Sequence, residues 1–154
     1  MLKRILNAGL IALALAVPAA SRAQESGTPD EAKAMVDAAV DHAKKVGAEQ
    51  AFKDFSNKAD KTFQKKDLYV FAFDMNGVQV AHGANEKLIG KNLLEVKDPG
   101  GKPIIREMRD LAAKGGGWVE FEWPHPHTKK VQAKRAYVRK LPNYDGFVGV
   151  GAYR

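Results

Sequence analysis

The stretch Leu68-Tyr-Val-Phe-Ala-Phe-Asp-Met-Asn-Gly-Val-Gln-Val-Ala-His82 decides how this chain folds. Leu68 to Asp74 is dense in Tyr, Val and Phe, side chains that suit a pleated, half-buried surface, and it stops at Met75-Asn76-Gly77. Residues 78–82 form a second run of the same kind. Asn-Gly accepts the left-handed backbone that a tight antiparallel connection needs, so the two runs read as a hairpin. Alternation puts Tyr69, Phe71 and Phe73 on one face of the first strand, and Val78, Val80 and His82 together on the second.

Beyond the hairpin the chain is irregular as far as Pro99-Gly-Gly-Lys-Pro103, a loop. Ile104 to Ala113 then reads as a helix ended by Lys114-Gly-Gly-Gly117. Three more strands follow at 118–123, 131–139 and 147–153, joined by turn-rich segments at 124–130 and 141–146. On the N-terminal side, Thr28-Pro-Asp-Glu31 is a helix start: a capping hydroxyl, a proline in the first turn and two acids at the positive end of the dipole. Ala32, Met35, Val36, Ala39, Val40 and Ala43 recur at three- and four-residue spacing, the pattern of an amphipathic helix. Gly47 interrupts it, and 48–55 continues with Ala51, Phe52 and Phe55 on one side. Helices segregated from a run of strands indicate an α+β fold. The expected architecture is a PAS-like five-stranded antiparallel sheet with a long N-terminal helix and a helical insert between strands 2 and 3. The long helix would cover the sheet or support a homodimer.

The first 23 residues are set apart from this fold. Lys3 and Arg4 precede the apolar run Leu10-Ile-Ala-Leu-Ala-Leu-Ala-Val17, and Ser21-Arg-Ala23 closes it with small residues. That is the layout of a secretory signal peptide, and the run is too short for a membrane span of roughly 20 apolar residues. The organisation read here is a signal peptide at 1–23, a linker at 24–27 and one domain at 28–154, in the periplasm. Loss of Lys3, Arg4 and Arg22 lowers the formal charge of the 154-residue chain from +7 to +4. The remaining Lys and Arg are dispersed among acids and not gathered on a face, which argues against a nucleic-acid partner. Absence of cysteine excludes disulfides and thiolate metal sites.

Several separated segments together resemble single Cache domains of type 2. They are the hairpin quoted above, Leu88-Ile-Gly-Lys-Asn-Leu-Leu94, Lys102-Pro-Ile-Ile-Arg-Glu-Met108, Gly115-Gly-Gly-Trp-Val-Glu-Phe-Glu-Trp-Pro124, Tyr137-Val-Arg-Lys-Leu-Pro142 and Gly149-Val-Gly-Ala-Tyr153. The resemblance implies an extracytoplasmic sensory domain of the kind found in chemoreceptors and sensor kinases. Such a domain holds a small ligand, often a short organic acid, between the sheet and the helical insert. Usual members run on into a second membrane span and a signalling module. This sequence stops at Arg154, so the expectation is a binding domain without its own transmembrane signalling, served by an envelope or membrane sensor protein. The alternative is an envelope assembly subunit that uses the same fold as a scaffold.

The residues expected to bind the ligand follow from that geometry. His82 ends the second strand, and its imidazole offers a donor. Arg106, early in the insert helix, is the best side-chain partner for a carboxylate. Trp118 and Trp123 differ by five positions and so face opposite ways, with Trp118 assigned to the pocket and Trp123 to packing. Tyr137 supplies a phenol, while Tyr69 and Phe71 form a wall. Met108 is assigned to the core. His125-Pro-His127 offers two histidines where a structural zinc site usually needs four ligands, and reads as an exposed loop. No metal, cofactor or catalytic residue is expected. Ser26 and Ser56 lie in a linker and a turn, no serine triad can be assembled, and Glu120 and Glu122 at alternate strand positions read as a solvated face.

Overall fold

The computed structural model describes residues 25–154, so the signal-peptide reading lies outside the described residues. Helix α1 spans Pro29–Val46 and opens with the anticipated cap. Thr28 Oγ1 accepts the Glu31 amide at 3.1 Å, and the Glu31 carboxylate accepts the Thr28 amide at 2.9 Å. Gly47, at φ 86°, turns the chain into helix α2, Ala48–Ser56. The strands are β1 (Gln64–Lys65), β2 (Leu68–Asp74), β3 (Gln79–His82), β4 (Gly117–Pro124), β5 (Val131–Lys140) and β6 (Gly146–Tyr153). Helix α3, Ile104–Ala113, is the insert between β3 and β4.

All pairings are antiparallel, in the order β2-β6-β5-β4, with β1 and β3 both flanking the outer edge of β2 at its two ends. The five expected strands are present, and the two-residue β1 is an addition. The hairpin connection is wider than Asn-Gly alone implies. Asp74 Oδ1 accepts the amides of Asn76 and Val78, and a register shift follows Ala72. Gly77, at φ 87°, supplies the left-handed step and also leaves room for Leu94, 2.7 Å from where a Cβ would stand.

The sheet has an aliphatic face and an aromatic one. Leu68, Val70 and Ala72 of β2, with Val148, Val150 and Ala152 of β6, pack against α1 and α2. The residues α1 presents there are those of the predicted stripe, mostly Ala and Val, which let the helix approach closely. Arg139 fastens to Asp37 of α1 at 2.8 Å. Tyr69, Phe71 and Phe73 point the other way, joining Val119, Phe121, Ala136, Val138 and Phe147 beneath α3.

At the N-terminal end, Gly27 is buried and its amide donates to Asp67 Oδ1 at 2.6 Å. The end of the expected linker is therefore anchored to the domain.

Candidate ligand cavity

Helix α3 lies over the aromatic face, and a small space remains between them. Ile104, Ile105 and Met108 form the roof, while Phe71, Phe73, Phe121 and Trp123 form walls. The polar groups lining it are Tyr69, Gln79, His82 and Lys134. Its free volume is about 20 Å³, room for about one water molecule. Tyr69, His82 and Trp123 also border an open cleft of about 240 Å³ whose outer wall is the β4–β5 hairpin from Pro124 to Pro126.

Lys134 has the least usual environment. Its side chain is buried to 2 % exposure, and Nζ donates to the Tyr69 hydroxyl at 2.8 Å. The rings of Tyr69 and Tyr153 lie 4.3 and 4.6 Å from Nζ, with Phe71 at 5.9 Å. Among the described residues no carboxylate comes within 4.0 Å of it. Taking an ammonium out of water costs several kcal/mol, and each ring face returns about 0.5–2 kcal/mol. Among the described residues, two of its three N–H groups have no hydrogen-bond acceptor. The polar centre of the cavity is therefore a buried amine whose hydrogen-bonding capacity is only partly used.

His82 stands beside it, its ring 4.7 Å from that of Tyr69 and tilted at 30°. Its Nδ1 accepts the amides of Ala84 and Asn85 at 3.1 and 2.8 Å. Nδ1 is thus an acceptor, and the proton sits on Nε2. Burial, aided by the charge of Lys134, holds the imidazole down at about 3, so it is neutral near pH 7. Gln79, equally buried, is absorbed by the fold, since Nε2 donates to the Ala81 and Ala72 carbonyls. Burial pushes the Tyr153 phenol up, keeping it neutral, and its hydroxyl donates to the Pro124 carbonyl at 2.8 Å.

The structure brings together three of the six residues singled out in the sequence: Tyr69, Phe71 and His82. Arg106 is a correction. Ile104, Ile105 and Met108 occupy the inward face of α3, so Arg106 falls on the outward face, half exposed and paired with Glu95. Trp118 and Tyr137 are a second correction. They are cross-strand partners with ring centroids 5.1 Å apart, tilted at 54°, on the α1 face, under Arg135 and Lys33 respectively. The odd spacing of the tryptophans was read correctly but with the faces exchanged, and Trp123 is the one at the cavity. At the triple glycine the backbone of β5 comes close, since a Cβ on Gly116 would stand 2.3 Å from the Val138 carbonyl. Met108 is core, as expected, and also roof.

His125 corrects the exposed-loop reading. It is buried, 3.3 Å from Asp67 through Nε2, with Nδ1 accepting the His127 amide. Lys134, the central polar group, was missed. Its signal was present in the alternation, since Lys134 is in phase with Ala136 and Val138 on the buried face of β5.

An antiparallel sheet with a helical insert enclosing one polar-centred cavity defines a PAS-like sensory domain. The profile of the family described as single Cache domain 2 matches residues 10–154, and the chain belongs to that family. Its members are extracytoplasmic sensory domains that bind small ligands. The chain is 33 % identical over 88 residues to the sensor histidine kinase MctS of Rhizobium johnstonii, a match covering 57 % of this chain and 19 % of the kinase. It is 31 % identical over 88 residues to the methyl-accepting chemotaxis protein McpP of Pseudomonas putida, covering 56 % and 16 %. The matched stretch is thus under a fifth of either relative.

Among solved structures, a methyl-accepting chemotaxis protein from Vibrio parahaemolyticus superposes with a TM-score of 0.70 at 29 % identity, over 80 % of this chain and 86 % of that one. A Cache chemosensory domain studied for carboxylic acid recognition superposes at 0.67 and 25 % identity, over 80 % and 91 %. Among the described residues no helix is long and apolar enough to cross a membrane.

Proposed function

We propose that this chain is a periplasmic sensory domain, exported by residues 1–23, that binds a short monocarboxylate without transforming it. The observation that carries this reading is the buried ammonium of Lys134, which has no carboxylate partner among the described residues and sits at a mostly apolar cavity beside a neutral imidazole. In this reading the ligand carboxylate takes the free donors of Lys134 and the Nε2–H of His82, two charge-assisted hydrogen bonds. Phe71, Phe73, Ile105 and Met108 enclose its alkyl end. Space for about one water molecule means that even a two- or three-carbon acid must push α3 and the aromatic walls apart, which favours the smallest acids. The hydrocarbon walls leave a second carboxylate unpaired, which selects against diacids. The polar groups on its wall are Tyr69, Gln79, His82 and Lys134, and in this reading they hold the carboxylate instead of attacking it. The carboxylic acid recognition studied in the related Cache domain supports the choice of ligand class.

Thermal melting against acetate, propionate, butyrate, succinate and propionamide tests this. A ligand at about 100 times its Kd stabilises by about 2.7 kcal/mol, a shift of several degrees. Acetate or propionate is expected to shift the wild type and to leave Lys134→Met unmoved. An equal shift with propionamide, or none with any acid, would overturn the reading and favour the scaffold alternative.

A further inference from the structure

Lys134 reaches its position by crossing a strand. It belongs to β5 and Tyr69 belongs to β2, with β6 between them in the sheet. Strand side chains ordinarily stand away from the sheet. This one lies down across β6, because its ammonium meets the Tyr69 hydroxyl on the far side. The crossing point is Gly151. A Cβ there would stand 2.2 Å from Lys134 Cε and 3.0 Å from both Cδ and Cγ.

Gly151 is not among the residues with positive φ, so no backbone conformation demands glycine at this position. The reason for the bare backbone is steric. Along β6 the cavity face carries Gly149 and Gly151, while Val148, Val150 and Ala152 fill the opposite face. Gly149 gives the same room to Phe71, whose Cζ would be 2.5 Å from an added Cβ.

We infer that Gly151 is the positioning residue of the anion site, its missing side chain being the trough that lays Lys134 flat. The inference rests on the reading of Lys134 as the carboxylate partner. With a methyl at 151 the lysine stem rises from the sheet. The ammonium then leaves the Tyr69 and Tyr153 rings, and its methylenes take the little free volume that a ligand needs.

The test uses the full-length chain with Gly151→Ala, Lys134→Ala and the double variant. The first readout needs no ligand. In wild type the Lys134 ε-methylene resonance of ¹³C-lysine-labelled protein is displaced by the two tyrosine rings, and in Gly151→Ala it returns to the ordinary lysine position. A resonance that stays displaced overturns the inference. The second readout is calorimetric binding of acetate and propionate. Gly151→Ala is expected to weaken binding about 10- to 100-fold, the size of a lost hydrogen bond to a charged group. Added to Lys134→Ala it should cause no further loss, because it acts through that residue. Wild-type affinity in Gly151→Ala, or additive losses in the double variant, overturns the inference. If the single variant folds poorly, the double variant should melt higher than it, since the trough is then empty; a double variant that melts no higher counts against the steric argument. Should wild type take up neither acid while the resonance contrast holds, the carboxylate reading falls and the positioning role of Gly151 stands.

Discussion

The two faces of this sheet come from the same strands by the same alternation, and their chemistry is opposite. On the α1 side, Leu68, Val70, Val148 and Val150 meet Ala32, Val36, Ala39 and Val40 in an aliphatic layer. On the α3 side, aromatic rings surround a lysine, a histidine and a glutamine, all under 5 % exposed. Apolar burial is the dominant favourable term in folding, whereas burial of an ion opposes it. Both faces bury apolar side chains, but only the second also buries an amine, and that burial opposes folding. A mutation should reveal which face it strikes by whether it moves stability or binding.

The largest effect is expected from the aliphatic side. Phe55 is fully buried and packs edge-on against Phe63 at 4.8 Å. Phe55→Ala should cost about 3–5 kcal/mol in urea denaturation, with carboxylate affinity of the folded fraction unchanged. A cost below about 1 kcal/mol would erase the distinction between the faces.

A smaller effect comes from acid, and it enters through the cavity side. His82 titrates at about 3 in the fold, against about 6.5 in the unfolded chain. Between those values the unfolded chain holds the extra proton, so stability is complete above about pH 6.5 and is lost as pH falls toward 3. From pH 7 to 5 this one residue should remove about 2 kcal/mol. His82→Asn keeps an acceptor for the Ala84 and Asn85 amides but does not titrate, so its urea midpoint should vary less over that interval. Equal pH slopes in the two proteins would refute this.

The smallest effect is expected at Arg106. Its pair with Glu95 is half exposed, and such pairs contribute about 0.2–1 kcal/mol. Arg106→Ala should leave propionate affinity within twofold of wild type by calorimetry. A large loss would mean that α3 turns its outward face to the ligand and would return Arg106 to the site.

What was legible in the sequence was local. The capping box at Thr28, the stripe of α1, the strand Leu68–Asp74 and the helix Ile104–Ala113 follow from residues within a turn or two of one another. Tyr69, Phe71 and His82 were within reach because the hairpin strands are contiguous in sequence. Trp118, Tyr137 and Lys134 were not. Alternation sorts β4 and β5 each into two sets, but which set meets the cavity depends on pairing with β6 and on where α1 docks, both long-range. Arg106 was chosen for its chemistry, and the phase of Ile104, Ile105 and Met108 along the same helix would have excluded it. In β5 a charged residue in step with Ala136 and Val138, facing a strand with alternate glycines, was the signal for Lys134.

The size of the cavity also sets how faintly this domain can hear. Propionate has five non-hydrogen atoms, and the best very small ligands gain no more than about 1.5 kcal/mol per atom. The ceiling is then about 7 kcal/mol, a Kd of several micromolar at best. With an ordinary association rate near 10⁶ M⁻¹s⁻¹, such a ligand leaves several times each second. Under the proposed small-acid reading, a chamber with about 20 Å³ of free space sets a threshold in the micromolar range and a memory shorter than a second.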